Sequence, residues 1–508
     1  MSPPFLILDE YYDSLITKNI SKKELVIFSI LLFLFIIRLA LIGFMGLMPQ
    51  DAYYSFYSEH LDLSYYDHPS GVAWMLWLFT SLFGKKVFVV KLASTIVTLI
   101  TQAAFATLAT CFLDIKRVLL AVIFLFSTVM ISVLSLIATP DVPLLLFWTL
   151  SLIALFLAIF RNYKKLWLIA GVLMGLAFNS KYTAVFLPAG LIMFLVLSPD
   201  YRKLLKSYWL YACLLLFIIT AMPVVIWNYD HGFASFKFQS VSRMSEPRSS
   251  YFSITDFLGV IGHQAFLLIP ILFFSLMAIF WLLFKKYRLK ISAIPAEQLF
   301  LLSFFAPVFL SFLFVSFFYW VKINWLMPAY ISGIILVVIY LKQKWVMYQL
   351  YCSFAIHLVM AVEIIFYPVK VKSDDTWVGW NELAANVNSI KKQYPGYFVF
   401  SADDYKTSAV LNFYFDEMVY SKNIIGEHAL QFDYVNTNIQ ALKGKNALFI
   451  DSHPDLSNCG EHPSVLNKYF DHITPLQPII VRKKGEVIRV FCVYACMKYN
   501  PSGVLKGS

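Results

Sequence analysis

Residues 118–160 read VLLAVIFLFSTVMISVLSLIATPDVPLLLFWTLSLIALFLAIF, forty-three residues in which Asp141 is the one ionisable side chain. Lys116-Arg117 precedes the run and Arg161 with Lys164-Lys165 follows it. A helix needs about twenty apolar residues to cross a hydrocarbon core of about 30 Å. The stretch therefore predicts two spans, 118–138 and 142–160, joined by a short turn at Thr139-Pro140-Asp141, with both basic flanks on the same side.

The rest of the chain repeats the pattern. Of its 508 residues 60% are hydrophobic, 18% aromatic and 14% charged, far from the balance of a soluble domain. Eleven spans are expected, at 24–44, 87–113, 118–138, 142–160, 166–180, 182–198, 209–227, 257–284, 297–319, 325–341 and 346–366. The N-terminal stretch carries Asp9, Glu10 and Asp13 and lacks the basic start and cleavage site of a secretory signal, so the first span reads as a retained anchor. The net charge of +11 does not point to nucleic acid, because the Lys and Arg sit in short clusters between apolar runs rather than among stacking aromatics.

With the N-terminus inside, the inner loops hold Lys22-Lys23, Lys116-Arg117, Arg161 with Lys164-Lys165, Arg202-Lys203 with Lys206, Lys285-Lys286 with Arg288 and Lys290, and Lys342 with Lys344. The outer loops 45–70 and 138–142 hold no Lys or Arg. Lys85-Lys86 is the exception, and it follows an apolar segment, Gly71 to Phe83, too short to span. Reading that segment as a helix lying at the interface preserves the positive-inside pattern. The polar tail 367–508 then lies outside. Strand-like runs at Tyr397–Phe400, Ala447–Ile450 and Val487–Tyr494, with a helical stretch from Glu382 to Gln393, make it a small soluble α/β domain. Six cysteines are too few for a disulfide framework, but Cys459, Cys492 and Cys496 allow one bridge in an extracytoplasmic tail.

Ionisable groups near membrane depth are expensive and by default functional. Four polar places fall on the outer side. The loop after the first span holds Asp51, Glu59, Asp62 and Asp67 among tyrosines and without a cation; it is either a solvated loop with an interfacial aromatic belt or a carboxylate cluster able to hold a metal or act as a base. Asp141 stands at a helix N-terminus, where a carboxylate is also simply a good cap. Lys181, in Asn179-Ser-Lys-Tyr-Thr183, either snorkels to head groups or binds a specific phosphate. The last place is a pair of loops, Trp227-Asn-Tyr-Asp-His231 onward with Lys237, Arg243 and Arg248, and Trp320-Val-Lys322-Ile-Asn324-Trp325. His231 alone is more often a structural hydrogen-bonder than a ligand. Carboxylates and cations gathered in one outer crevice suit a lipid donor with an anionic phosphate and an acceptor hydroxyl that needs a base.

These residues also carry a resemblance. Gln50-Asp-Ala-Tyr-Tyr-Ser-Phe-Tyr-Ser-Glu-His-Leu-Asp-Leu-Ser-Tyr-Tyr-Asp-His-Pro69 is similar to the first external loop of the polytopic GT-C glycosyltransferases of the protein mannosyltransferase and lipid A aminoarabinose transferase type, particularly the bacterial ones. Ala138-Thr-Pro-Asp-Val-Pro143, Ser180-Lys-Tyr-Thr183, Trp227 to Phe236 and Asn324-Trp-Leu-Met-Pro-Ala329 fit as well, so the resemblance covers about residues 24–345. Two positions depart from it: Gln50-Asp51 stands where relatives carry consecutive acids, and Ser70 replaces a second proline.

The resemblance implies a GT-C-like all-α bundle over 1–366, with external catalytic loops 45–84 and 228–256 and a periplasmic α/β domain over 367–508. It implies catalytic acids at Asp51 and Asp141, and donor-phosphate binding by Lys181, Lys322 and Arg243. Tyr53, Tyr54, Asp67, His68, His231 and Asn324 fall in the matching motifs and are expected to contact substrate. The expected donor is a polyprenyl-phosphate-linked sugar, the expected acceptor a lipid A-like glycolipid, with a protein acceptor as the alternative, and the expected place the bacterial inner membrane.

The chemistry is a single inverting displacement in which Asp51 takes the acceptor's proton while the cations stabilise the departing phosphate. No G-x-x-x-x-G-K-[ST] loop is present, in keeping with an already activated donor. No cofactor is called for; a divalent ion shared by Asp67 and His231 has too few candidate ligands to be predicted. A transporter or flippase of a lipid-linked substrate is the rival from another class, but the chain shows no internal repeat and its polar residues gather at one face rather than at the midplane. A non-catalytic receptor is the third reading.

Overall fold

The computed structural model describes residues 22–242, 252–288, 290–341, 344–371, 373–435, 438–453 and 459–502. Each of the eleven expected segments is helical, but fewer of them are uninterrupted spans. Six helices are long and apolar enough to cross a membrane, or eight if two sharply bent pairs each count as one. The six are α4 (Val87–Thr110), α7 (Asp141–Phe160), α10 (Tyr208–Asp230), α12 (Pro270–Tyr287), α13 (Ala296–Val315) and α15 (Lys344–Phe366). The bent pairs are α1 (Lys22–Phe44) with α2 (Pro49–Glu59), at 93°, and α5 (Ile115–Phe126) with α6 (Val129–Leu136), at 61°. Shorter apolar helices complete the bundle: α3 (Gly71–Phe83), α8 (Leu166–Phe178), α9 (Phe186–Leu197), α11 (Ile254–Leu268) and α14 (Met327–Tyr340).

The expected span 257–284 is two helices, α11 and α12, parted at Ile269, which sits at φ 68° ahead of Pro270. Proline cannot donate to the preceding turn, so the helix ends there. Free backbone groups in an apolar bundle need partners. Gln349 of α15 supplies them: its amide nitrogen Nε2 donates to Leu268 O (2.9 Å) and its Oε1 accepts from Leu272 N (3.2 Å). The same side chain donates to Ser127 Oγ (3.0 Å) at the α5–α6 bend, where Ser353 Oγ also donates to Ser127 O (2.8 Å). Polar residues of one helix thus let two others break.

Helix α3 is thirteen residues long, buries Val72, Ala73 and Leu76, and exposes Trp77, Leu78, Leu82 and Phe83. Lys85, just beyond it, donates to Glu59 (2.9 Å) and to the Asn412 carbonyl (3.0 Å), which sets it on the face shared by the first loop and the C-terminal region.

The C-terminal α/β domain carries helices α16 (Trp380–Gln393) and α17 (Lys406–Tyr414) against one sheet. Its strands are β1 (Phe398–Phe400), β2 (Val419–Tyr420), β3 (Ala447–His453), β4 (His472–Pro475), β5 (Ile479–Lys483) and β6 (Glu486–Met497). The order is β2-β1-β3-β6-β4, with β5 also paired to β6; β2, β1 and β3 are parallel, whereas β6 runs antiparallel to β3, β4 and β5. Cys459 and Cys492 form a disulfide, the latter on β6, while Cys496 stays free and buried. Arg489 is stacked on Trp380 and paired with Asp374 at 2.9 Å, fastening the start of this domain to its central strand.

Candidate active site

The 93° bend between α1 and α2 turns the first loop back over the bundle, so that Asp51 points inward rather than to water. Its Oδ2 takes a 2.8 Å ion pair from Lys91 of α4 and a 3.2 Å bond from Met48 N, and its Oδ1 accepts from Ala138 N at 2.8 Å. Lys91 also donates to Leu136 O (3.2 Å), and neither side chain of the pair is exposed at all. The loop thus has the cation that its own sequence lacks. The neighbouring Gln50 is only half-buried, and its side chain reaches the Tyr54 hydroxyl.

A second pair lies at the start of α7. Asp141 Oδ1 accepts from Lys181 Nζ (2.7 Å) and Oδ2 from Asn324 Nδ2 (2.6 Å). Three separate turns therefore meet on one carboxylate. Lys181 is set by the break between α8 and the 3-10 turn Tyr182–Val185, where it adopts an extended backbone. Asn324 is set by Gln264, which donates to Ile323 O (2.8 Å) and accepts from the Tyr330 hydroxyl (2.5 Å).

Asp67 accepts from the hydroxyls of Tyr57 and, at 3.3 Å, Tyr53. The turn that leads to Asp141 also gives the Ala138 N–H to Asp51, so Asp141 lies beside the first-loop acids. His68 is half-buried, its ring 6.1 Å from that of Tyr54. Gln239 Nε2 donates to Asp67 O (2.6 Å) and Tyr182 bonds Ser235 (2.6 Å), which draws the loop after α10 onto the same wall. His231 is stacked on Trp227 at 4.2 Å with Nδ1 on the Trp227 carbonyl (2.8 Å), and Trp227 Nε1 donates to Asp62 (2.8 Å). Lys322 is exposed on the loop that carries Asn324, and Lys237 is exposed as well. Arg243 and Arg248 lie outside the described residues. Among the described residues no group of three or more His, Cys, Asp or Glu is arranged to hold a metal.

The α/β domain closes the crevice from above. Tyr405 packs on Tyr53 (4.4 Å between ring centroids), Phe432 on Phe56 (4.6 Å), His428 on Tyr66 (4.5 Å) and Tyr434 on Trp227 (5.4 Å). Gln431 joins two points of the first loop: its Oε1 accepts from Tyr66 N (2.8 Å) and its N–H donates to the Tyr53 hydroxyl (3.2 Å). Burial pushes the Tyr405 phenol pKa up, so it meets the crevice as a neutral hydroxyl.

Sequence reasoning missed Lys91, Tyr405 and Gln431. Lys91 did carry a signal, a lone lysine inside the apolar run 87–113, which is expensive without a partner. The other two carried none: each is an ordinary residue of a polar tail.

Chemically, the crevice offers two buried carboxylate–lysine pairs, a third carboxylate held by tyrosine hydroxyls, and aromatic walls of the kind that stack on sugar rings. Residues 67–227 match the family model described as dolichyl-phosphate-mannose-protein mannosyltransferase. No curated protein matches the chain by sequence. Among solved structures, ArnT from Cupriavidus metallidurans bound to undecaprenyl phosphate is similar, with a TM-score of 0.59 at 14% identity over 92% of this chain and 97% of that one. Its apo state gives 0.60 at 12% identity over the same shares. The fold is therefore the GT-C arrangement that ArnT adopts, as the loop motifs implied, and the chain is built as a multi-pass membrane protein.

Proposed function

We propose that this chain is a glycosyltransferase that moves a sugar from a polyprenyl-phosphate donor to an acceptor on the outer face of a bacterial inner membrane. The observation that carries the reading is the meeting of Asp141, Lys181 and Asn324 beside the first-loop acids, in a fold shared with a protein that binds undecaprenyl phosphate. The resemblance of the loop motifs favours a glycolipid acceptor of the lipid A type. The disulfide Cys459–Cys492 supports an oxidising compartment for the α/β domain, hence a periplasmic one, with the N-terminus inside.

In this mechanism the acceptor oxygen attacks the anomeric carbon, the bond from that carbon to the phosphate oxygen breaks, and polyprenyl phosphate leaves. One displacement inverts the anomeric centre. Lys181 turns from Asp141 to the phosphate and stabilises its growing charge, with Lys322 at the rim and Arg243 as a further candidate. Asp141, released from its lysine, takes the acceptor's proton. Asp67 orients the acceptor through the tyrosine hydroxyls it gathers, while Tyr54 and His68 wall the sugar. Asp51 holds the loop: its two oxygens already receive Lys91 and two backbone N–H groups. Gln50 presents an uncharged amide where relatives place the first of two acids.

The test is mass spectrometry of envelope glycolipids and carrier lipids from cells with the wild-type chain, without it, and with Asp141→Asn at matched protein level. A sugar mass lost from one glycolipid in both defective strains, with its polyprenyl-phosphate form persisting, is expected. Glycolipids and carriers that change on deletion but not with Asp141→Asn would refute catalysis at this carboxylate.

A further inference from the structure

Away from the crevice, a cleft of about 430 Å³ opens at the seam between the bundle and the α/β domain. Its lower wall is the end of α1, including Phe44, and the end of α15, Ile364 and Ile365, with Trp377 beside them. Its upper wall is β5, which contributes Arg482 and Lys483. Both helices end here with apolar side chains still exposed, Phe44 at 62% and Phe366 at 55%, so the cleft lies where hydrocarbon gives way to head groups. The outward face of β5 carries the exposed Ile480 next to Arg482, an apolar and a cationic group on one edge.

The charge in the cleft is net positive. Glu382 is its one lining acid, and neither Arg482 nor Lys483 forms an ion pair with a carboxylate among the described residues. Arg482 makes a long 3.4 Å bond to Gly485 O, and Lys483 lies 4.9 Å over the Tyr367 ring. Cations above an apolar floor, at the level of the head groups, match a molecule with a phosphate at one end and acyl chains at the other.

We propose that this cleft binds the phosphate headgroup of an anionic phospholipid of the surrounding bilayer, its chains running along α1 and α15. The site is separate from the Asp141–Lys181 crevice, and the binding does not depend on the proposed reaction. It does touch the same linker. Met45 and Gly46 line the cleft, Gly46 is packed so tightly on Trp377 that a Cβ would come within 2.5 Å of its carbonyl oxygen, and two residues later Met48 donates to Asp51. An occupied cleft would therefore brace the bend that seats Asp51.

The experiment uses the full-length protein, delipidated in detergent, titrated with phosphatidylglycerol or phosphatidylcholine and read by native mass spectrometry. Tight binding of phosphatidylglycerol over phosphatidylcholine is expected. In Arg482→Ala/Lys483→Ala its affinity should fall about thirtyfold, as two interfacial cations would produce, and Arg482→Lys/Lys483→Arg should restore it. Thermal melting of each variant in phosphatidylcholine nanodiscs serves as the folding control. Equal binding of the two lipids, or unchanged phosphatidylglycerol binding by a folded double alanine variant, overturns the proposal. So does displacement of the lipid by soluble glycerol phosphate at equal concentration, which would make the occupant a free phosphate rather than a lipid.

Discussion

Two lysine–carboxylate pairs lie at one end of the bundle, built alike and placed differently. In each the lysine follows its aspartate by forty residues, and the pairs measure 2.8 Å at Asp51–Lys91 and 2.7 Å at Asp141–Lys181. The first is closed: backbone N–H groups from Met48 and Ala138 occupy the aspartate and a backbone carbonyl occupies the lysine. In the second the other contact to the aspartate is a side-chain amide, Asn324, on a separate loop. A pair held by backbone on both sides fixes architecture, whereas a pair held by movable side chains can exchange partners when an anion arrives. Burial alone does not separate the two; the nature of the remaining contacts does.

The largest expected difference is in rate. Asp141→Asn should lower turnover per folded molecule by about 10²–10⁴-fold, the range removed with a general base; because it also leaves the buried Lys181 without its carboxylate, melting falls too and turnover is compared at matched folded protein. Asp51→Asn should act through stability alone. It strands the Lys91 charge in a dry site, at about 3–5 kcal/mol of stability, visible as lower melting and lower yield in the membrane. The double variant Asp51→Asn/Lys91→Met should recover much of that loss and, with it, activity. A double variant that melts like wild type yet turns over nothing would assign the proton to Asp51 and reverse the roles of the two pairs.

Next in size is the link between the crevice and its cover. Gln431→Ala leaves the buried Tyr66 N–H without its acceptor, at about 1–3 kcal/mol. The loss should be local. Hydrogen exchange should rise across residues 60–70 and 428–434 while β3 and β6 keep their protection; uniform protection in both segments would mean the Gln431 bonds hold nothing in place.

How much of this could be read from sequence follows from the distances involved. The apolar runs announced the helices because each run is local, and the placing of Asp141, Lys181 and Asn324 at the ends of those runs led to the expectation of a shared face, where they do meet. Their meeting on one carboxylate was legible only as a crevice. The partner of Asp51 was not legible, since Lys91 reaches it only through the bend at 45–48. The break at Ile269–Pro270 went unread because the groups that make it tolerable belong to Gln349, about eighty residues away. Tyr405 and Gln431 were beyond reach for the same reason, joined to the first loop across more than three hundred residues.

The smallest expected effect lies in the α/β domain, where a third kind of carboxylate site appears, one held by hydroxyl and backbone N–H groups. Asp403 follows β1 and caps the first turn of α17, accepting from Thr407 N (3.1 Å) and Ser401 Oγ (2.8 Å). Burial, and then the Asp451 carboxylate at the end of the adjacent strand, push its pKa from 3.8 up to about 8, against the pull of those hydrogen bonds. The folded state therefore holds a proton that the unfolded state has released anywhere between about pH 4 and pH 8. Its stabilising contribution is full below about pH 4 and is lost as pH rises through about 8, with a slope of at most about 1.4 kcal/mol per pH unit. Raising the pH from 6 to 7 should lower the stability of the α/β domain by about 1 kcal/mol, and Asp403→Asn should flatten that slope without changing the Asp141 rate effect. A wild-type pH slope that survives Asp403→Asn would move the proton to another group. Stability that instead rises over this interval would mean Asp403 is charged and matched by a cation, as its two counterparts in the bundle are.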